Sequence, residues 1–458
     1  MLGTENQTNY IGKAVERIED AALLSGQGRF IDDLPTAPGT GHAAILRSPH
    51  AHADISAIDT SRAEALAGVH AVVTGKDAEL WSEPFLVGVR QPMQHWCIAT
   101  ERVRYVGEPV AIVVAESRYI AEDALALIEV EYQTLPVVVE VMAAMAADAP
   151  ILHSDVGSNL VNERQFNYGN PETAFADATH VVRASVRYPR NSCTPMECFG
   201  LVAEYLAAEQ SYDVLANFQG PYALHPVMAR ALKVPGSRLR LRTPADSGGS
   251  FGVKQAIFPY IVAMALAARK ARRPVKWVED RLEHLVAANS ATGRISNISA
   301  AVAADGVIEA LELEQIEDCG AYLRAPEPAS LYRMHGILTG AYNIPHLAVT
   351  NRIVLTNRTP SGLNRGFGGP QVYFALERLM QRIAIELNLD PLDVIRRNLV
   401  PAASMPYRAA AGAVLDSGDY QACVSRALKD GGLAELEARR DAARAAGRSP
   451  SPTFKAVG

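Results

Sequence analysis

Cysteine is scarce and unpatterned in this 458-residue chain: Cys97, Cys193, Cys198, Cys319 and Cys423 are odd in number, and no two form a C-x-x-C. Zinc or iron–sulfur ligation within this chain is therefore not expected, and there is no disulfide framework. The polar opening stretch, MLGTENQ, has no apolar core of the kind a secretory signal needs. Unpaired thiols and no signal set the expectation of a reducing, cytoplasmic location. No uninterrupted apolar run approaches the roughly 20 residues that cross a bilayer, so no membrane span is expected. The net charge of −6 and the lack of any basic tract argue against nucleic acid as a partner. No internal repeat is visible. What remains is ordinary globular material, 48% hydrophobic and 21% charged, long enough for two or three domains.

What is present is organised around residues 244–255, PADSGGSFGVKQ. A strand-like alternation at 238–242 (RLRLR) precedes it, and an apolar, Ala-rich run of helical length follows at 256–270. Glycines ahead of a helix N-terminus let backbone N–H groups approach an anion such as a phosphate or oxyanion. The same pattern is also that of a plain turn. GGSFG at 248–252 matches the short nucleophile-elbow pattern of serine hydrolases, but Pro244, Ala245 and Asp246 break the strand that should run into Ser250. The phosphate-loop pattern fails, because Lys254 is not followed by Ser or Thr.

Taken in order, residues 1–40 are polar and turn-rich. Strands are predicted at 43–46, 69–73 and 110–114 and helices at 60–67 and 119–130, a compact mixed unit ending near 145. Residues 141–150 (VMAAMAADAP) read as a linker. Beyond it strands are predicted at 178–188, 201–205, 212–218, 274–278, 293–304, 308–318 and 348–355. Helices are predicted at 222–232, at 371–387, up to about 399, and at 420–445. After Pro401 the composition shifts to Ala, Gly and Arg.

Several short motifs, in order, carry a resemblance over essentially the whole chain. Residues 9–33 (NYIG to GQGRFIDD), RSPHAH at 47–52 and VRYVGEPV at 103–110 resemble the a/b hammerhead domain of the aldehyde oxidase/xanthine dehydrogenase family. TPME at 194–197, NFQ at 217–219, GGSFG at 248–252, RPVKWVEDR at 273–281 and NRGFGGPQ at 364–371 resemble the molybdopterin-binding domain of the same family. The fold implied is α+β. A hammerhead domain (1–145) comes first, then the first half of the molybdopterin-binding region (151–400) and a truncated start of its second half (401–458).

The resemblance implies a molybdenum hydroxylase large subunit holding a molybdopterin cytosine dinucleotide. It would oxidise an N-heterocycle or an aldehyde with oxygen from water, and pass electrons to partner subunits, a medium one with FAD and a small one with [2Fe-2S]. A pterin dithiolene asks for no Cys or His ligand from the protein, in keeping with the absence of a metal-spaced set. Gln219 matches the glutamine that hydrogen-bonds a molybdenum ligand, and its carboxamide can donate and accept. Gly249, Ser250, Phe251 and Gly252 match the loop against the cofactor. Arg365 and Gly366 match the segment whose backbone touches it, and Phe367 the ring that packs on an aromatic substrate. Arg333, twelve residues before Pro345, matches the arginine that binds purines in xanthine oxidisers. Gln255 stands where those enzymes carry a glutamate.

Two departures qualify the resemblance. Residues 362–368 lack the cysteine that carbon monoxide dehydrogenases place there. No Gly-Glu pair follows position 401, so the segment with the family's catalytic glutamate is not in this sequence. The chain is therefore expected to be incomplete for catalysis alone. The alternatives are a non-catalytic truncated subunit or scaffold and, as a minor one, a serine hydrolase using Ser250.

Overall fold

The computed structural model describes residues 12–86 and 93–446, so Asn9 to Ile11 of the hammerhead motif and the Pro/Ser-rich ending from Ser449 lie outside the described residues. The chain forms two compact units, and neither follows the linear order of the sequence.

The first unit gathers residues up to 86, 94–135 and 193–288. Its main sheet has seven strands in the order Leu239–Arg242, Ser211–Ala216, Gly200–Leu206, Val275–Val278, Gly41–Arg47, Pro109–Ala115 and Val69–Thr74. The expected division at 145 describes order along the chain, whereas this sheet draws strands from both sides of it. The junction is the parallel pairing of Gly41 with Val275. Strand Pro109–Ala115 (PVAIVVA) is buried at every position, which its unbroken apolar run requires. Helix Phe258–Ala271 packs on the sheet and is apolar all round, with only Arg269 and Lys270 outside its buried set. A second sheet of three strands joins Arg102–Val103, Ala53–Asp59 and Glu129–Thr134. The two short strands at 53–59 and 102–103 were not predicted, because ADISAID shows little apolar alternation and a two-residue strand shows none.

The second unit gathers residues 136–192 and 289–446. Its five-stranded sheet runs Leu160–Tyr168, His346–Val354, Ile308–Asp318, Gly293–Val302, His180–Tyr188. Helix Gly369–Leu387 lies on it, burying Val372, Leu376, Leu379, Met380 and Ile383 at helical spacing against Leu311, Leu313 and Val349. Three expectations need correction. The stretch read as a linker begins with helix Val141–Ala144, whose Val141 and Ala144 are buried. The strand expected from 178 begins at His180, after helix Pro171–Asp177. The helix expected over 420–445 is two, Tyr420–Asp430 and Leu433–Ala445, separated where Gly432 takes φ 64°.

Candidate functional site

In the first unit the chain leaves strand Leu239–Arg242 and turns through 243–252 into the short 3₁₀ helix Val253–Ile257. Gly249 (φ 95°), Phe251 (φ 52°) and Gly252 (φ 106°) are left-handed, and Phe251 is held there despite its side chain. Gly248 is required for space, since a Cβ on it would lie 2.3 Å from the Glu197 Cβ. The Glu197 carboxylate accepts from the N–H of Gly248 at 3.0 Å and of Ile31 at 3.3 Å, and it pairs with the buried Lys254 ammonium. Burial lowers the Lys254 pKa, against the raising pull of Glu197.

Gln219 ties this turn from the end of strand Ser211–Ala216. Its Oε1 accepts from the Gly252 N–H at 3.0 Å and from the Ser250 hydroxyl. A backbone N–H can only donate, which fixes the orientation of the carboxamide and leaves its NH₂ without a partner among the described residues. The hydrogen bonds among the described residues also leave unused the N–H groups of Gly249, Ser250 and Phe251. The result is a row of free donors on a glycine turn, the arrangement that holds an anionic group. Gln255 is partly buried just beyond, with its Oε1 unpaired. Ser250 has no base: its hydroxyl donates to Gln219 and accepts from the Lys254 N–H at 3.2 Å, and no histidine is among its partners. The serine hydrolase reading fails on that geometry.

In the second unit the loop before helix Gly369–Leu387 carries Arg365, Gly366 and Phe367. The Phe367 N–H donates to the Asn364 carbonyl at 2.8 Å, with Gly366, Phe367 and Gly368 all at positive φ. Gly368 admits no other residue, because a Cβ would sit 1.8 Å from the Ser330 carbonyl oxygen. A cavity of about 80 Å³ is lined by Tyr188, Asn191, Asn364, Arg365, Phe367 and Gln371, among others. Arg333, at the end of helix Ala329–Tyr332, lays its guanidinium 5.7 Å from the centroid of the Phe367 ring. The two are thus a cation–π pair rather than separate walls of a pocket.

A fully buried cluster that sequence reasoning missed supports this loop. Arg294 donates through Nε to Glu317 at 2.5 Å and through its other nitrogens to the carbonyls of Gly368 and Ser330, both at 3.4 Å. The Ser330 hydroxyl lies against Glu317 and, at 2.6 Å, Glu327. One hydroxyl hydrogen can serve only one of these two carboxylates at a time. Burial, with Glu317 adding to it, pushes Glu327 up to about 7. The signal was faint: Arg294 and Glu317 sit on strands that read as ordinary alternation.

Gln219, Gly249, Ser250, Phe251 and Gly252 therefore come together in the first unit, and Arg333, Arg365, Gly366 and Phe367 in the second. Residues 152–399 match the family described as "Molybdopterin cofactor-binding domain", and residues 25–136 match "Aldehyde oxidase and xanthine dehydrogenase, a/b hammerhead domain". The nicotine 6-hydroxylase large subunit of Paenarthrobacter nicotinovorans is 34% identical over 96% of this chain and 54% of its own. The carbon monoxide dehydrogenase large chain of Hydrogenophaga pseudoflava is 32% identical over 94% of this chain and 56% of its own. The crystal structure of quinoline 2-oxidoreductase from Pseudomonas putida 86 superposes with a TM-score of 0.89 at 34% identity, covering 96% of this chain and 56% of that one. The chain belongs to the xanthine dehydrogenase/aldehyde oxidase family, carrying its a/b hammerhead domain and its molybdopterin cofactor-binding domain. It spans little more than half the length of these relatives. A further relative, the nicotinate dehydrogenase large molybdopterin subunit of Eubacterium barkeri, is 27% identical and is covered over 92% of its length. Among the described residues no helix is long and apolar enough to cross a membrane.

Proposed function

We propose that this chain is a cofactor-bearing part of a cytoplasmic hydroxylase for planar N-heterocycles, or secondarily aldehydes. Its cofactor is molybdopterin cytosine dinucleotide, and its partners are a medium subunit with FAD and a small subunit with [2Fe-2S]. Residues 401–458 begin the second half of the cofactor-binding region.

The observation that carries the reading is Gln219, whose carboxamide oxygen is pinned by Gly252 and Ser250, which leaves its NH₂ a donor without a partner among the described residues. These residues fit the cofactor: Gln219 would donate to a ligand of the metal, and the N–H groups of Gly249, Ser250 and Phe251 would take its anionic groups. Bound there, the cofactor supplies the two-electron oxidation and delivers oxygen taken from water. Arg333 and Phe367 present a cation stacked on a flat ring, a surface suited to a planar, electron-poor heterocycle with a hydrogen-bond acceptor. Two relatives act on nicotine and quinoline by their names, in line with that surface. The carbon monoxide reading is not extended to this chain, because residues 362–368 (GLNRGFG) hold no cysteine.

The test is molybdenum and cytidine content of the chain purified from molybdate-fed cells, wild type against Gln219→Leu. The wild type should retain both, and the variant should bind about 10–100-fold more weakly, as for other lost supports of a metal site. Equal retention would remove Gln219 from the reading, and no cofactor in either protein would end it.

A further inference from the structure

A second cluster of ligand-type side chains lies in the first unit, at the end of the pairing between Gly200–Leu206 and Val275–Val278. Cys198, Glu279 and His284 each offer a ligand atom, all within 4.8 Å of one another. The backbone holds them firmly. Glu279 N–H donates to the Phe199 carbonyl at 2.9 Å, and the Phe199 N–H returns a bond to Glu279 Oε2 at 3.3 Å. His284 sits in helix Arg281–Ala287, whose start is fixed by the Asp280–Glu283 capping box, and its Nδ1 meets Glu279 Oε2 at 2.7 Å.

The cluster is buried and incompletely satisfied. Glu279 is 2% exposed and His284 1%, yet Glu279 Oε1 and His284 Nε2 have no hydrogen-bond partner. A buried carboxylate with an unpaired oxygen is unfavourable unless something of positive charge meets it. Cys198 is only partly buried, which leaves a way in. Burial raises its thiol pKa, with Glu279 and Asp280 adding to the rise and Arg281 and Lys254 opposing it.

We propose that Cys198, Glu279 and His284 hold a zinc-class divalent cation, with a fourth position open on the Cys198 side. Thiolate, imidazole and carboxylate together suit Zn²⁺, whereas calcium and magnesium take oxygen ligands. One thiolate and one carboxylate neutralise the ion. Ligand atoms around tetrahedral zinc stand about 3.2–3.8 Å apart given bonds of roughly 2.0–2.3 Å. The ion takes His284 Nδ1 and Glu279 Oε2, so their distance must open by about half an ångström and the sulfur must move in; it meets the buried charge of the carboxylate as a group, while Glu279 Oε1 and His284 Nε2 are not its ligands. The thiol proton leaves, and the imidazole ligates as the tautomer protonated at Nε2. The site is separate in its residues from the molybdenum reading and does not depend on it.

The test uses the 458-residue chain without molybdate, stripped with chelator and titrated with Co²⁺. Wild type should bind one Co²⁺ with a thiolate-to-cobalt charge-transfer band that Zn²⁺ displaces. Cys198→Ser and Glu279→Gln should lose the band, and Cys423→Ser, at an exposed thiol, should keep it. Absence of the band in wild type, its persistence in Cys198→Ser, or its loss in Cys423→Ser alone overturns the site. If the variants do not fold, zinc in the wild type by native mass spectrometry decides: one retained ion supports the site, and none overturns it.

Discussion

The Lys254 ammonium and the Glu197 carboxylate form an ion pair beneath the glycine turn, with Lys254 fully buried and the same carboxylate oxygen accepting from the Gly248 N–H at 3.0 Å. The pair connects a core charge to the backbone that shapes the cradle. Removing one partner strands the other.

Glu197→Ala should therefore destabilise the first unit by about 3–5 kcal/mol, the usual consequence of leaving a buried charge alone. The double change Glu197→Leu with Lys254→Met should recover most of that, while still losing the tie to Gly248. Urea unfolding of the three proteins checks this. A single variant as stable as wild type would show that the pair is not buried in solution.

Two glycines separate space from backbone freedom. Gly412 has φ 103° with nothing within 4 Å of an added Cβ, so Gly412→Ala should cost only about 1–2 kcal/mol of left-handed strain. Gly368 adds a 1.8 Å clash with the Ser330 carbonyl, so Gly368→Ala should be much worse and displace Phe367. Comparable melting temperatures for the two variants would contradict the packing described here.

The raised Glu327 carboxyl makes a pH prediction. Glu327 is raised in the folded state to about 7, against an ordinary value of about 4.3 when unfolded. Between these values the native state holds the extra proton. The stabilisation it gives is complete below about pH 4.3 and is lost as pH rises through 7, with a slope of at most about 1.4 kcal/mol per pH unit. Glu327→Gln keeps the site neutral and should flatten that part of the stability–pH curve. An unchanged curve would place the proton elsewhere.

If Arg333 has the role proposed for it, Arg333→Ala in the active enzyme should raise the barrier by about 2–4 kcal/mol, seen in turnover more than in substrate binding. Unchanged turnover of every heterocycle tried would mean that Arg333 only stacks on Phe367.

The glycine turn, the long helix over 371–387 and most strands were legible because each is set by local pattern. PVAIVVA at 109–115 has no face to give to water, and the apolar stripe of 369–387 repeats at helical spacing. The candidate residues were legible only as motifs in the right order, since a lone Gln219 or Arg333 carries no local signal. The break at Gly431 and Gly432 was overlooked although the glycine pair stood in the sequence.

By itself, then, the sequence determined the family, the α+β class and the loops that bear Gln219 and Phe367, because glycine placement and apolar periodicity act over a few residues. Only the tertiary structure decided that Gly41 pairs with Val275, that Glu197 meets Lys254, that Arg294 holds Gly368 and Ser330, and that Cys198 lies beside Glu279 and His284. Those partners stand far apart along the chain. What joins them is the burial of charge and the closing of a sheet, and no local spacing records either.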